Sequence, residues 1–405
     1  MHLAIIGTGK MGTGIFQWAV DRDIELTLCS RSEENLRDQE RRFLRKLDRT
    51  LRRGDITAEK ADAKKALVHF TRNIAEIARA DFALETVPED IEIKTATLRA
   101  MEDVLSPNEI LLSNTSSISL EKLAGALKHP DRFCGLHFFH PVMVVSLVEI
   151  IRWRGLSSGV VDRVRELCRV LGRKGLVVAD SPGSPLNWIL GCLYVEAMYL
   201  LEEGAALPSR LDQAARHYIS PGPCEAMDTL GMDLISKIAA MFTVGPDKQG
   251  TIWLDKDAVE LAPENAGGRE GFHIPWLLDK LLRENRLGRK TSRGLFVYEG
   301  DSTLDDDPAY YPCPGSSVNP LPDDEIADRI FYSLYISALF AVTRELCGTE
   351  DIDFGLREVL LMEKGPLRLA KERGAEKVRS DLERLESKWG KRFHPPIQPE
   401  EIRFS

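Results

Sequence analysis

Short apolar runs separated by stretches of helical spacing mark the first 180 residues of the chain. Runs at 3–6, 25–29, 67–70, 82–85, 110–113, 133–137 and 176–179 read as strands, and 147–151 is a further candidate. Strands alternating with 3.6-periodic segments are the signature of βαβ units and a mostly parallel sheet. After Asp180-Ser181-Pro182-Gly183 the pattern changes. Strand signals nearly vanish, and long amphipathic helices are expected over 187–203 and 275–286. A Pro/Asp-rich segment, 301–322, reads as a linker to a last helical block. Across it, Leu193-Tyr194-Val195-Glu196-Ala197 and Leu334-Tyr335-Ile336-Ser337-Ala338 lie equally far from Asp212 and Asp353. Gly222-Pro223 and Gly365-Pro366 also match, each followed at the same distance by Gly231 or Gly374. The expected architecture is an α/β Rossmann-type domain (1–180), then two all-α helical domains (181–300 and 323–405) that repeat one helical unit in tandem across the linker 301–322.

Composition narrows the class. The chain has 405 residues, 43% of them hydrophobic, enough to build the cores of two or three domains. A net charge of −9 disfavours a broad nucleic-acid surface. Cys29, Cys134, Cys168, Cys192, Cys224, Cys313 and Cys347 are widely spaced and form no C-x-x-C. They read as reduced intracellular thiols, not as a disulfide frame or metal site. The apolar stretch 138–151 is broken by His140, Pro141 and Glu149, which is wrong for a membrane span. With a strand opening near His2 there is no room for a leader, so a cytoplasmic location is expected.

Candidate chemistry begins with Gly7-Thr8-Gly9-Lys10-Met11-Gly12, which follows the first strand and opens a helix. In such a strand–turn–helix, Gly7 permits the tight turn, Gly9 lets backbone approach a pyrophosphate, and Gly12 lets the helix pack closely. The helix N-terminus supplies amide donors and a positive dipole end. The second strand normally ends in an acid that binds the adenosine ribose, but here the residues are Cys29-Ser30-Arg31-Ser32. Lacking that acid, and offering Ser30 and Arg31, the site leans to NADP over NAD; if Arg31 merely faces solvent, NAD remains. Ser113-Asn114-Thr115-Ser116-Ser117 would stand at the carboxyl edge of the sheet, where ligands bind. His137 lies at an apolar strand end, and Glu149 lies inside another apolar run. A carboxylate buried there needs a partner, and a His–Glu pair supplies one.

These residues resemble the L-3-hydroxyacyl-CoA dehydrogenases along essentially the whole chain. The likeness is carried by residues 85–94, 113–117, 135–141, 147–151 and 180–187, and by the turn Gly288-Arg289-Lys290-Thr291-Ser292-Arg293-Gly294. The second helical copy resembles the tandem repeat of multifunctional fatty-acid oxidation enzymes, without a hydratase domain. The resemblance implies that His137 is the general acid–base and that Glu149 orients it. It implies that Ser116 and Asn187 hydrogen-bond the substrate oxygen, and that Glu89, Lys94 and Asn114 lie near the nicotinamide half of the cofactor. It also implies an acyl-CoA substrate and oxidation of fatty-acyl chains. A helix over 34–53 shows Leu36, Phe43, Leu44, Leu47 and Leu51 on or near one face and Arg42, Lys46, Arg49 and Arg53 on another. In the family an arm here meets the CoA nucleotide, which makes Lys46, Arg49 and Arg53 its candidate ligands.

The chain also departs from the family. His140 replaces a common Asn, and Ser184, Pro185 and Trp188 stand in an altered P-G-F-x-x-N-R segment, changes expected to reshape the substrate cleft. A carnitine- or gulonate-type dehydrogenase on the same fold is the alternative activity. A silent crystallin-like protein is the alternative class, disfavoured by the joint presence of Ser116, His137, Glu149 and Asn187. The second helical copy could take the place of a dimer partner, so a monomer is possible.

Overall fold

The computed structural model describes residues 1–181, 183–240, 251–254, 257–260, 274–300, 302–306 and 320–403. They divide into two compact units, Met1–Pro182 and Gly183–Ser405. Cys313 and most of the expected linker lie outside the described residues.

In the first unit every apolar run anticipated as a strand is one: β1 (His2–Ile6), β2 (Glu25–Cys29), β3 (Val68–Thr71), β4 (Phe82–Glu85), β5 (Ile110–Ser113), β6 (Phe133–Phe138), β7 (Leu147–Arg152) and β8 (Lys174–Ala179). The sheet order is β3-β2-β1-β4-β5-β6-β7-β8. All neighbours are parallel except β6 and β7, which run antiparallel. Chain direction switches sides between β1 and β4, the crevice where open α/β sheets bind ligands. Helices α1 (Lys10–Ala19), α2 (Glu33–Arg52), α3 (Ala58–Ala66), α4 (Ile91–Glu102), α5 (Leu120–Ala124) and α6 (Val160–Val170) connect the strands. Each of α2, α3 and α4 starts where a side-chain oxygen, from Ser32, Thr57 or Asp90, accepts a first-turn amide. Leu3, Ile5, Leu26, Leu28, Leu84 and Leu112 from the strands pack with Ile15 and Phe16 of α1 in one core.

The second unit contains α7 (Pro185–Glu202), α8 (Pro208–Ala215), α9 (Pro223–Leu230), α10 (Met232–Ala240), α11 (Trp276–Arg283), α12 (Asp323–Thr343), α13 (Thr349–Leu360), α14 (Pro366–Arg373) and α15 (Ala375–Trp389). Proline opens α7, α8, α9 and α14, where its missing N–H costs nothing. The unit is not purely helical. Thr251–Leu254 pairs with Asp257–Glu260, and Phe296–Glu299 with Ser302–Asp306, as antiparallel hairpins. The second hairpin corrects the linker's start: 302–306 is strand, and the Asp306 carboxylate accepts from the Ser209 amide at 2.8 Å. Helix α12 has the length and apolarity of a membrane span, but 78% of its most apolar window is buried inside the protein, as in a core helix.

The paired sequence features do the same work twice. Asp212 accepts the Cys224 and Glu225 amides at the start of α9, at 2.8 and 2.9 Å. Asp353 accepts those of Leu367 and Arg368 at the start of α14, at 2.9 and 2.7 Å. A Cβ at Gly222 would overlap Asp212, and one at Gly365 would overlap Asp353, so only glycine lets each carboxylate approach.

Candidate active site

The turn after β1 explains its glycines individually. Gly7 has φ +119°, and a Cβ there would lie 2.7 Å from Thr86 Oγ1. At Gly12 a Cβ would overlap the Gly7 carbonyl. At Gly9 it would meet nothing within 4 Å. That opening, with no side chain capping α1, leaves a cradle of first-turn amides suited to a dinucleotide pyrophosphate. Lys10 and Met11 are the first two residues of α1. At the end of β2, Ser30 Oγ lies 2.8 Å from Thr8 Oγ1 and accepts the Ser32 amide. Arg31 is exposed, and no ion pair or hydrogen bond engages its side chain among the described residues.

Register brings the other pieces to one edge of the sheet. Ile6 pairs with Glu85, Glu85 with Ser113, and Ser113 with Gly135. Beneath that edge is a buried hub. Lys94, 1% exposed, donates to Glu85 at 2.9 and 3.1 Å and to the Val87 carbonyl. Ser113 Oγ donates to Glu85 at 2.6 Å. Glu89 lies 3.2 Å from Lys94 and accepts the amides of Ser116 and Ser117 and the hydroxyls of Thr115 and Ser117. Burial opposes its ionisation, but Lys94 and these hydrogen bonds outweigh burial and hold its pKa at about 2. Asn114 Oδ1 accepts the Phe138 amide at 2.9 Å, fastening this loop to the end of β6.

His137 and Glu149 are direct partners in the antiparallel β6–β7 register, so their side chains share a face. His137 Nδ1 lies 2.8 Å from Glu149 Oε2, with His137 5% and Glu149 0% exposed. A carboxylate only accepts, so Nδ1 carries the proton and Nε2 is the ring nitrogen left for a ligand. The Phe139 ring stands edge-on to the imidazole, 4.9 Å away. Beyond it, burial and the facing Lys10 ammonium lower the pKa of His140, which puts the β6–β7 loop beside the dinucleotide turn. Val142 would touch a Cβ at Gly14 of α1. Arg173, which the sequence reading passed over, clamps that loop by donating to the Val142 and Val145 carbonyls, each at 2.6 Å, while stacking 3.7 Å from the Trp18 ring. Nothing in the local sequence pattern marks it, because its partners come from residues about 30 positions away.

On α2 the apolar face is narrower than expected: Leu36, Phe43 and Leu47 are buried, whereas Leu44 and Leu51 are exposed. The cations, with Asp48 among them, stand along one largely exposed stretch of this helix and its C-cap. Asp38 engages Arg42 and Asp21 engages Lys46, while neither Arg49 nor Arg53 has an ion-pair partner among the described residues. Asn187 stands on the first turn of α7, in the second unit. One residue on, the Trp188 ring packs 6.1 Å from Phe340 and under Arg344, inside the same unit. The turn 288–294 folds around Asp228, which accepts the Leu295 and Phe296 amides at 2.9 Å.

The sequence profile for "3-hydroxyacyl-CoA dehydrogenase, NAD binding domain" matches residues 2–181, and that for the "C-terminal domain" matches 185–298. The chain belongs to the 3-hydroxyacyl-CoA dehydrogenase family. It is therefore an oxidoreductase interconverting a 3-hydroxyacyl-CoA and a 3-oxoacyl-CoA with a nicotinamide dinucleotide. A 3-hydroxybutyryl-CoA dehydrogenase of Mycobacterium tuberculosis is 29% identical over 301 residues, 73% of this chain and 98% of the relative. A 3-hydroxyadipyl-CoA dehydrogenase of Escherichia coli is 30% identical, covering 74% of this chain and 59% of the relative. Among solved structures, 3-hydroxybutyryl-CoA dehydrogenase from Escherichia coli superposes over 99% of this chain and 98% of its own, with a TM-score of 0.81 and 22% identity. That likeness extends the shared fold through the last helical block. The (S)-3-hydroxybutyryl-CoA dehydrogenase of Ralstonia eutropha matches 74% of this chain and 99% of its own at 27% identity, with a TM-score of 0.63.

Proposed function

We propose that His137 is the proton carrier of this dehydrogenase and that Glu149 sets its tautomer and stabilises its protonated form. The observation behind this is the cross-strand pair, Nδ1 to Oε2 at 2.8 Å, with the carboxylate fully buried. In oxidation, His137 Nε2 takes the proton of the 3-hydroxyl as the C3–H bond breaks; in reduction it returns that proton to the 3-oxo oxygen. The nicotinamide ring, when bound, exchanges the hydride with C3. Ser116 and Asn187 hydrogen-bond the substrate oxygen. Gly7, Gly9, Lys10, Met11 and Gly12 hold the pyrophosphate. Glu89, Lys94 and Asn114 serve the nicotinamide half by holding the 113–117 loop in place. Ser30 and Arg31 favour NADP. Arg49 and Arg53 at the end of α2, with Lys46 beside them, meet the phosphates of CoA; that neither guanidinium has an ion-pair partner among the described residues supports this assignment.

We further propose domain bounds of 181–300 and 323–405 for two copies of one helical unit, supported by the doubled Asp–Gly device. The second copy takes the place of a partner subunit on that face, so a dimer through it is not required. A cytoplasmic location fits the six described cysteines, all free and buried.

The assignment of His137 is tested with 3-hydroxybutyryl-CoA and a bulkier 3-hydroxyacyl-CoA. The His137→Ala variant should lose at least about 10²-fold in kcat, the lower range for a positioned acid–base. The Glu149→Gln variant should also lose turnover while its dinucleotide Kd stays put. Wild-type turnover in the His137 variant would remove the histidine from the mechanism.

A further inference from the structure

Resting on the reading of two helical copies, a residue of the first copy has its counterpart 141 positions later, as Leu193 has Leu334. In a self-complementary interface each contact between i and the counterpart of j recurs between j and the counterpart of i. Contacts between the two copies, at α7 and α12 and beyond them, follow that rule in position. Ser333 Oγ donates to the carbonyl of Cys192, its own counterpart, at 3.2 Å, which puts this pair on a local twofold axis. The Ser220 amide donates to the Leu360 carbonyl at 2.8 Å, one position from the same relation. Arg329 engages Glu203, and the mirror contact, between Trp188 and Arg344, is also present, with the guanidinium 5.8 Å from the ring centroid.

The chemistry does not obey it. On one side Arg329, 0% exposed, donates through Nε to Glu196 at 2.7 Å and also engages Glu203. Arg392 adds a second guanidinium to Glu196 at 2.8 Å. On the other side the counterparts of Arg329, Glu196 and Glu203 are Trp188, Ser337 and Arg344. The Trp188 ring packs against Phe340 there instead of making an ion pair.

We infer that α7 and α12 form a twofold interface whose buried charge pair survives on one side only, and that this asymmetry commits the face of α7 to the second copy of the same chain's helical unit. The charge balance excludes the like pairings. Two α7 helices on this axis would bury Glu196 and Glu203 against Trp188 with no cation from either helix. Two α12 helices would set Arg329 against Ser337 and Arg344. Only α7 with α12 neutralises its buried groups. Trp188 thereby takes part in the pairing of the helical copies.

A double-mutant cycle on the full-length enzyme tests this. Trp188→Arg alone should lower the Tm, because it places a guanidinium near Arg344, and Ser337→Glu alone should lower it by burying an unpaired carboxylate. Trp188→Arg/Ser337→Glu should recover at least half of the summed loss, because it rebuilds the mirror of Arg329–Glu196. Losses that simply add would overturn the inference. The cycle Arg329→Met/Glu196→Met, where the pair already exists, should couple in either case and shows that the assay detects such a pair. Turnover of the wild type in the same samples reports separately on the proposed catalytic function.

Discussion

Ser30 and Arg31 divide the labour at the end of β2. The serine hydroxyl is occupied by Thr8 and Ser32, which shapes the turn, while the arginine side chain is exposed. A carboxylate at position 30 would accept from the ribose hydroxyls of NAD and repel a 2′-phosphate; serine does neither strongly. A charge-assisted contact from Arg31 to a 2′-phosphate would be worth about 1.5–3 kcal/mol, or roughly 10- to 150-fold in affinity. The ratio of kcat/KM for NADP over NAD should therefore exceed one and collapse in Ser30→Asp/Arg31→Ala. A wild type that prefers NAD, with a ratio the double variant leaves alone, would remove Arg31 from cofactor choice. Both Arg31 and His137–Glu149 were legible in the sequence because each breaks a local rule: a missing acid at a strand end, and an acid inside an apolar run. Arg173 broke none, since a buried cation becomes visible only once its partners are brought to it, and Lys94 was legible through the family resemblance alone.

At the scale of elements, all eight strands of the first unit could be read from apolar runs, but the reversed direction of β7 and β8 could not. Periodicity reports which faces are buried and carries no sign along the strand. The hairpins of the second unit were not legible because one strand of each, Asp257–Glu260 and Ser302–Asp306, carries no apolar run of the kind that marked the strands of the sheet. What the helices bury also sets a pH dependence. Burial raises the pKa of Glu202, at the end of α7, to about 7, although its carboxylate accepts the Leu277 amide of α11 at 2.8 Å. Burial likewise raises Asp212 and Asp353 to about 6. Because the folded-state values lie above the unfolded ones, these groups contribute stability that is full below about pH 4 and is lost as pH rises through 6 and 7. Glu89 has the opposite sign, but its contribution is lost only as pH falls from 4.5 toward 2, outside that window. Glu202→Gln keeps an acceptor for Leu277 and removes the titration. Between pH 5 and 8 its Tm should therefore fall less with rising pH than that of the wild type. Parallel Tm–pH curves would show that Glu202 ionises freely in the folded protein.

Over the whole molecule, the second helical block supplies a large part of the apolar core of the second unit. Helix α12 buries Ile330, Phe331, Tyr332, Leu334, Tyr335 and Leu339 at 0% exposure, and it packs on α7 and α8. Helix α7 is itself buried almost throughout, from Leu186 to Leu201, so much of its surface is covered only while α12 is present. Deleting residues 318–405 would uncover that face as one contiguous apolar patch. It would also take away Arg329 and Arg392, leaving Glu196 and Glu203 without their guanidinium partners. Two such truncated chains cannot repair the loss by pairing their α7 helices, because neither brings a cation to the other's glutamates. The truncated protein should therefore aggregate, or associate with a lower Tm than the intact chain, as read by light scattering behind size-exclusion chromatography and by thermal melts. Its Rossmann-type unit, which has its own core, should still bind dinucleotide in whatever fraction stays in solution. A truncation that remained monomeric, dispersed and as stable as the full chain would mean that α12 covers nothing α7 needs covered, and the tandem unit would lose its role as an internal partner.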